Sequence, residues 1–196
     1  MKRLIILFFV LYCNTVLSQD TLKNFNTSRI HITSTGMKVL GSWGIVNLGT
    51  GIAGWVGSDP GTSHKYFYQM NTLWGATNAG IAILSLAGMH KILSKQLTAE
   101  ENIKAQKAIE KTFLINGGLD FVYIGTGLFL NTRGNNRDDE KLKGYGTSVL
   151  VQGAFLLLFD ATMYSTHRAN GKRFNSIMQK TSLIATGNNI GFVYNF

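Results

Sequence analysis

The chain has 196 residues, enough for one domain, and is 45% hydrophobic but only 15% charged, where an ordinary soluble domain is roughly 25% charged. Gly occurs 22 times and Pro once, a balance that suits closely packed helices in lipid better than a loop-rich soluble fold. The formal charge of +9 would fit nucleic acid, but the basic residues lie between apolar segments and form no stripe. Anionic lipid headgroups are therefore the expected partner, and nucleic acid is not.

The N-terminus, MKRLIILFFVLYCNTVLSQD, places Lys2 and Arg3 before the apolar run Leu4–Tyr12 and offers a cut between Ser18 and Gln19. Residues 1–18 read as a secretory signal peptide, since the apolar run is too short to span a bilayer. Cys13 is the only cysteine, so a chain beginning at Gln19 can form no disulfide, thiolate metal site or cysteine nucleophile. Residues 19–35 read as a polar arm.

Four apolar segments follow, at approximately 36–57, 66–93, 108–131 and 146–167, each near the roughly 20 residues that cross a bilayer as a helix. Residues 39–57 and 66–89 carry no charged side chain, and a soluble amphipathic helix needs a polar face. The fold class is thus all-α: an integral membrane bundle of four transmembrane helices, residues 36–167, after a signal peptide. Pro60 and Gly61 mark a tight turn at 58–65, making the first two helices antiparallel. Thr98 and Glu101 have capping-box spacing, so the third helix should begin in water and run into the third apolar segment. Residues 131–146 read as a hydrophilic loop whose Asp138, Asp139 and Glu140 lack the spacing of a calcium loop. Residues 168–196 form a basic, then aromatic tail. Gly187-Asn188-Asn189 is a turn signal there, and Phe192, Tyr194 and Phe196 alternate, but the tail is expected to lie along the interface.

The first two segments share the pattern W-G-x-x-N-x-G, at 43–49 and 74–80. Residues four apart share a helix face, so Trp43 lies above Asn47 and Trp74 above Asn78, with Asn71 on the second set. Gly54 and Gly57 on the first helix, and Gly75 and Gly80 on the second, have the small-xxx-small spacing that lets helix backbones approach. This reading brings Asn47 and Asn78 together as glue across a helical hairpin. The second pair of segments carries Asn116, Asp120 and Tyr123 on one face, and Asp160 and Tyr164 on another, with Gln152 nearby. Carboxyls within apolar helices are costly and are functional candidates by default. Asp120 and Asp160 could share a proton as a relay or coupling site. Alternatively they hydrogen-bond to the tyrosines and asparagines and only hold the bundle together.

Patterns of enzymatic chemistry are missing. GTGIAG at 49–54 matches G-x-G-x-x-G but lies inside an apolar helix with no strand before it. The histidines have no paired spacing, and no G-x-S-x-G, Walker A or CxxC occurs. Neither catalysis, nor a metal, nor a cofactor is expected. Orientation is contradictory: most Lys and Arg lie on the side of residues 19–35, which the positive-inside rule places in the cytoplasm and a leader exports.

The run LKGYGTSVLVQGAFLLLFDATMY, with GMKVLGSWGIVNLGTG and KYFYQMNTLWGATNAGIA, resembles a family of uncharacterised small four-helix membrane proteins of Bacteroidota. The resemblance covers residues 36–165 and implies a leader and four apolar helices, but no activity. The expected function is that of a multi-pass, non-enzymatic scaffold or subunit of a cell-envelope assembly, in the inner membrane, with a membrane-protein partner or a second copy of itself. The alternative is a small proton- or ion-coupled carrier or channel using Asp120 and Asp160.

Overall fold

The fold is seen in a computed structural model that describes the backbone of residues 2–93, 95, 97–186 and 189–194 and the side chains of 22–89, 92, 95 and 97–176. Four helices, α1 (Lys2–Gly57), α2 (Ser63–Leu93), α3 (Ala99–Arg137) and α4 (Glu140–Lys180), precede two strands, β1 (Thr181–Thr186) and β2 (Asn189–Tyr194). Each helix contains a stretch long and apolar enough to cross a membrane. The strands pair as an antiparallel hairpin from Thr181 opposite Tyr194 to Thr186 opposite Asn189, so the tail is not helical throughout. Gly187, Asn188 and Phe196 lie outside the described residues, and the expected leader lies where side chains are not described.

Residues 168–180, read as the start of the tail, continue α4, and two further stretches differ from the sequence reading. Residues 22–35 are not a separate arm but part of α1. Phe25, Ile30, Met37 and Leu40 are buried at helical spacing, which their polar neighbours obscure. Phe25 stacks on Phe174 at 4.0 Å, fastening this stretch to the far end of α4. The expected loop at 131–146 shrinks to a two-residue turn. Asp138 adopts the left-handed conformation, φ 54°, and its N–H caps the Gly134 carbonyl, while Asp139 Oδ1 accepts from the N–H groups of Lys141 and Leu142 at 3.0 Å each. Polar residues alone do not end a helix; the capping geometry does. The Thr98–Glu101 capping box is present at the start of α3.

The helices form two antiparallel hairpins, α1–α2 and α3–α4, each closed by glycine against backbone. A Cβ on Gly75 would collide with the Leu48 nitrogen, and one on Gly51 would sit 2.7 Å from the Thr72 nitrogen. In the second hairpin, a Cβ on Gly153 would meet Ile124 at 3.0 Å, and one on Gly127 the Leu150 nitrogen at 2.6 Å. These contacts align Leu48-Gly49-Thr50-Gly51 with Ile124-Gly125-Thr126-Gly127, and Leu73-Trp74-Gly75-Ala76 with Val151-Gln152-Gly153-Ala154. One hairpin thus repeats the other, in parallel orientation. Gly54 packs under the Tyr68 ring, but Gly57 and Gly80, also expected in packing, have no neighbour within 4 Å of the place a Cβ would occupy. They lie on outward faces, where small-residue spacing finds nothing opposite.

The hairpins join mainly through α2 and α4, which run parallel. At their N-termini Gly144 lies against the Ser63 carbonyl and the Phe67 nitrogen. Two positive helix ends meet here, and Glu140 answers both. It pairs with Lys143 at 2.8 Å and accepts the Ser63 N–H at 2.9 Å. These bonds, Lys143 first, hold the Glu140 carboxyl down to about 2. Glu140 is the first residue of α4, ahead of its apolar part.

These contacts set measurable expectations. Gly75→Val should destabilise the bundle by about 1–3 kcal/mol in a detergent unfolding titration, because it forces two backbones apart. Gly80→Ala should leave stability unchanged or raise it by up to about 1 kcal/mol. Because its pKa is depressed on folding, Glu140 stabilises above its ordinary 4.5 and ceases to do so as pH falls toward about 2. The stability deficit of Glu140→Gln should therefore be constant above about pH 5 and vanish in strong acid, as read by parallel melts.

Candidate functional site

The interior of this bundle sets buried polar groups beside an apolar core that includes Met37, Phe113 and Phe159, and its outside is largely apolar. The largest fully buried side chains are His167, Gln152, Asn102, Asp120 and Ser148, whereas Val56, Leu84 and Leu158 are 81%, 76% and 71% exposed. Between Lys111 and Arg133 the only charged-type residue of α3 is Asp120, and at 1.5 Å per residue that stretch is about 33 Å long, close to the roughly 30 Å of a bilayer core. By the same rise Asn78 lies about 20 Å from both Lys65 and Lys91, and Asp120 and Asp160 lie about 12–14 Å inside Lys111 and Arg168.

The buried polar groups fall into three layers. In the first, Gln152 is a hub between the hairpins. Its Oε1 accepts from Trp43 Nε1 at 2.8 Å, and its Nε2 donates to Asn47 Oδ1 at 2.9 Å and Asn71 Oδ1 at 3.2 Å. Asn71 Oδ1 also accepts from Ser148 at 2.6 Å, and Asn47 Nδ2 donates to the Trp43 carbonyl at 2.8 Å. Trp43 is stacked on Phe155 at 4.1 Å. Asn47 therefore meets α4, not Asn78. The two copies of the W-G-x-x-N-x-G pattern serve different neighbours, because α4 packs between them on one side only.

The second layer holds the carboxyls. Asp120 of α3 and Asp160 of α4 are 2% and 5% exposed, and their carboxyl groups lie within hydrogen-bonding reach of each other. They bond to neither tyrosine: Tyr123 packs edge-on against Trp74 at 5.3 Å, and Tyr164 accepts from Arg168 at 2.9 Å. The pair lies in the wall of a cleft of about 430 Å³ that runs between α2 and α3 and has Asn78, Trp74 and Tyr123 on its walls. Asn116 is exposed and also borders the cleft. Asn78 Nδ2 and Asp120 Oδ2 are buried without a hydrogen-bond partner.

The repeat explains why the cleft is on this side. Where the hairpins are aligned by their glycine contacts, Asn47 corresponds to Tyr123 and Gln152 to Trp74. Asn47 and Gln152 join α1 to α4 by a hydrogen bond, and Tyr123 and Trp74 meet between α3 and α2 as an edge-on aromatic pair. The polar pair brings its helices together. Beyond the bulkier aromatic pair α2 and α3 diverge, with few contacts between them.

The third layer is one that sequence reasoning missed. His167 stacks on Phe113 at 5.6 Å and lies 3.3 Å from Thr33 Oγ1, while Gln106 Nε2 donates to the His167 carbonyl at 2.6 Å. Arg29 is buried nearby. Only the helical spacing of Phe25, Arg29, Thr33 and Met37 could have revealed it. Ser148, the missed member of the hub, was legible from its position one turn before Gln152. No group of three or more His, Cys, Asp or Glu side chains that could hold a metal ion occurs among the described residues.

Residues 39–161 match the family of unknown function DUF6992. No curated protein and no solved structure matches the chain.

If the Gln152 hub locks the hairpins together, Gln152→Leu removes three hydrogen bonds worth about 0.6 kcal/mol each in a membrane bundle. Unfolding in mixed micelles should show a loss of roughly 2 kcal/mol, and a loss under about 0.5 kcal/mol would show that the hub holds nothing.

Proposed function

We propose that this chain, which belongs to the DUF6992 family, is a non-enzymatic integral membrane protein of a bacterial cell envelope that exchanges a proton for a cation at Asp120 and Asp160. One observation carries the reading: two buried carboxyls from different helices lie together in the wall of a cleft. The Gln152 hub pairs neutral donors with neutral acceptors, as a scaffold needs. The carboxyl pair is built differently. Two carboxylates side by side in hydrocarbon cannot both be ionised, so the pair holds at least one proton. With two protons it is neutral; on releasing one it carries a single negative charge, which one cation neutralises. Among the described residues, Tyr123 is the only other titratable side chain on the cleft walls.

The repeat of two hairpins in parallel orientation supports this reading, since transporters often place their sites near the bilayer midplane between such repeats. Anionic headgroups would meet the Lys and Arg residues beyond the helix ends. The scaffold or assembly-subunit reading has its own support: Gly80, Gly88, Gly117, Gly118 and Gly125 lie open on the outer faces, where a partner helix or a second copy could approach.

Infrared spectroscopy of the carboxyl stretch in lipid vesicles separates the two. Exchange predicts a protonated-carboxyl band that changes with pH and is lost or shifted in Asp120→Asn and in Asp160→Asn. A band that neither pH nor either substitution alters would return the protein to the scaffold reading.

A further inference from the structure

We infer that the α2–α3 cleft binds a lipophilic organic monocation, an amine with an apolar body, which enters sideways from the bilayer. The inference rests on the proton-exchange reading of Asp120 and Asp160 and adds the class of ligand. Three features of the cleft, independent of each other, define that class.

The first is the entrance. Thr77 and Ile81 on α2, and Thr112, Asn116 and Leu119 on α3, border the cleft and are exposed. They run from Leu119, within the apolar stretch of α3, to Thr112 beside Lys111 at its edge, so the mouth opens on the acyl chains and reaches up to the interface. A ligand reaching it must already be dissolved in the membrane, which requires an apolar body.

The second is the polar end. Asp120 and Asp160 both line the cleft. An ammonium group can donate N–H to the carboxyl pair, and its charge matches that of a pair holding one proton. A neutral alcohol supplies the donor but not the charge. A dication would leave one charge unneutralised in hydrocarbon.

The third is the wall between them. Trp74 and Tyr123, edge to face, present aromatic surface to a bound cation, which attracts it most strongly where water is absent. The volume, about 430 Å³, falls within the roughly 300–1,000 Å³ of ordinary small-molecule sites. On binding, the amine remains protonated, its N–H donates to Asp120, and one proton leaves the pair, so charge within the membrane is conserved.

The test uses the full chain in lipid nanodiscs, with protein-free nanodiscs subtracted, and phenylbutylamine as the probe in calorimetric titrations. Saturable binding of one amine per chain is expected, with about one proton released, read from the dependence of the heat on buffer ionisation. Phenylbutanol, its uncharged analogue, should bind about tenfold or more weakly. Ile81→Trp narrows the mouth from an exposed position and leaves both carboxyls in place; it too should weaken the amine about tenfold or more. Asp120→Asn should do the same. Amine and alcohol binding alike, or an Ile81→Trp protein that binds amine as the parent does, would overturn the ligand assignment. Proton exchange would survive that result if the carboxyl band still responds to pH. A band indifferent to pH and to the Asn substitutions overturns both.

Discussion

Helix backbones touch at Gly44, Gly51 and Gly75 in one hairpin and at Gly127, Gly146 and Gly153 in the other, and everything else in the bundle hangs on that closeness. In the membrane setting proposed above, burying apolar side chains between helices gains little, because acyl chains solvate them as well. Association then depends on van der Waals contact and hydrogen bonds, both of which require short interhelical distances. Glycines supply those distances. They also explain why the two hairpins resemble one another in detail: the same contacts are made by the same short sequences on each.

Polar groups can then act across the narrow interfaces. Gln152 reaches Trp43, Asn47 and Asn71 from α4, so one side chain ties three helices. The lock lies on one flank of the molecule. On the other flank the corresponding positions are Trp74 and Tyr123, and the helices part around the carboxyl pair. An approximately symmetric frame thus carries an asymmetric interior, closed by a satisfied network on one side and open at an unsatisfied one on the other. A proton-exchanging site needs such a combination, with a frame stiff enough to hold two carboxyls together and one wall able to admit a ligand.

Legibility in the sequence tracks locality. The apolar segments, the capping box at Thr98 and the burial of Asn47, Asn71, Asn78, Asp120, Gln152 and Asp160 all follow from composition and spacing within one helix. The repeat misleads because W-G-x-x-N-x-G compares α1 with α2, whereas the structural equivalence joins α1 to α3 and α2 to α4. The shared tetrapeptides are short, and residues that correspond, such as Asn47 and Tyr123, differ in chemistry. Gly57 and Gly80 have the spacing of packing glycines but face outward, since spacing defines a helix face and not what lies opposite.

From its sequence alone this protein is a set of four apolar helices that carry scattered polar side chains, with two carboxyls placed deep in the apolar stretches. Hydrophobic period, charge position and capping residues are properties of each segment, and each segment carries them. Only the tertiary structure decided which polar groups meet. Asn47 finding Gln152, Asp120 finding Asp160, and Asn78 finding no partner for its amide nitrogen depend on the rotation and approach of whole helices. Those are set by glycine contacts between residues distant in the chain, which no single segment encodes.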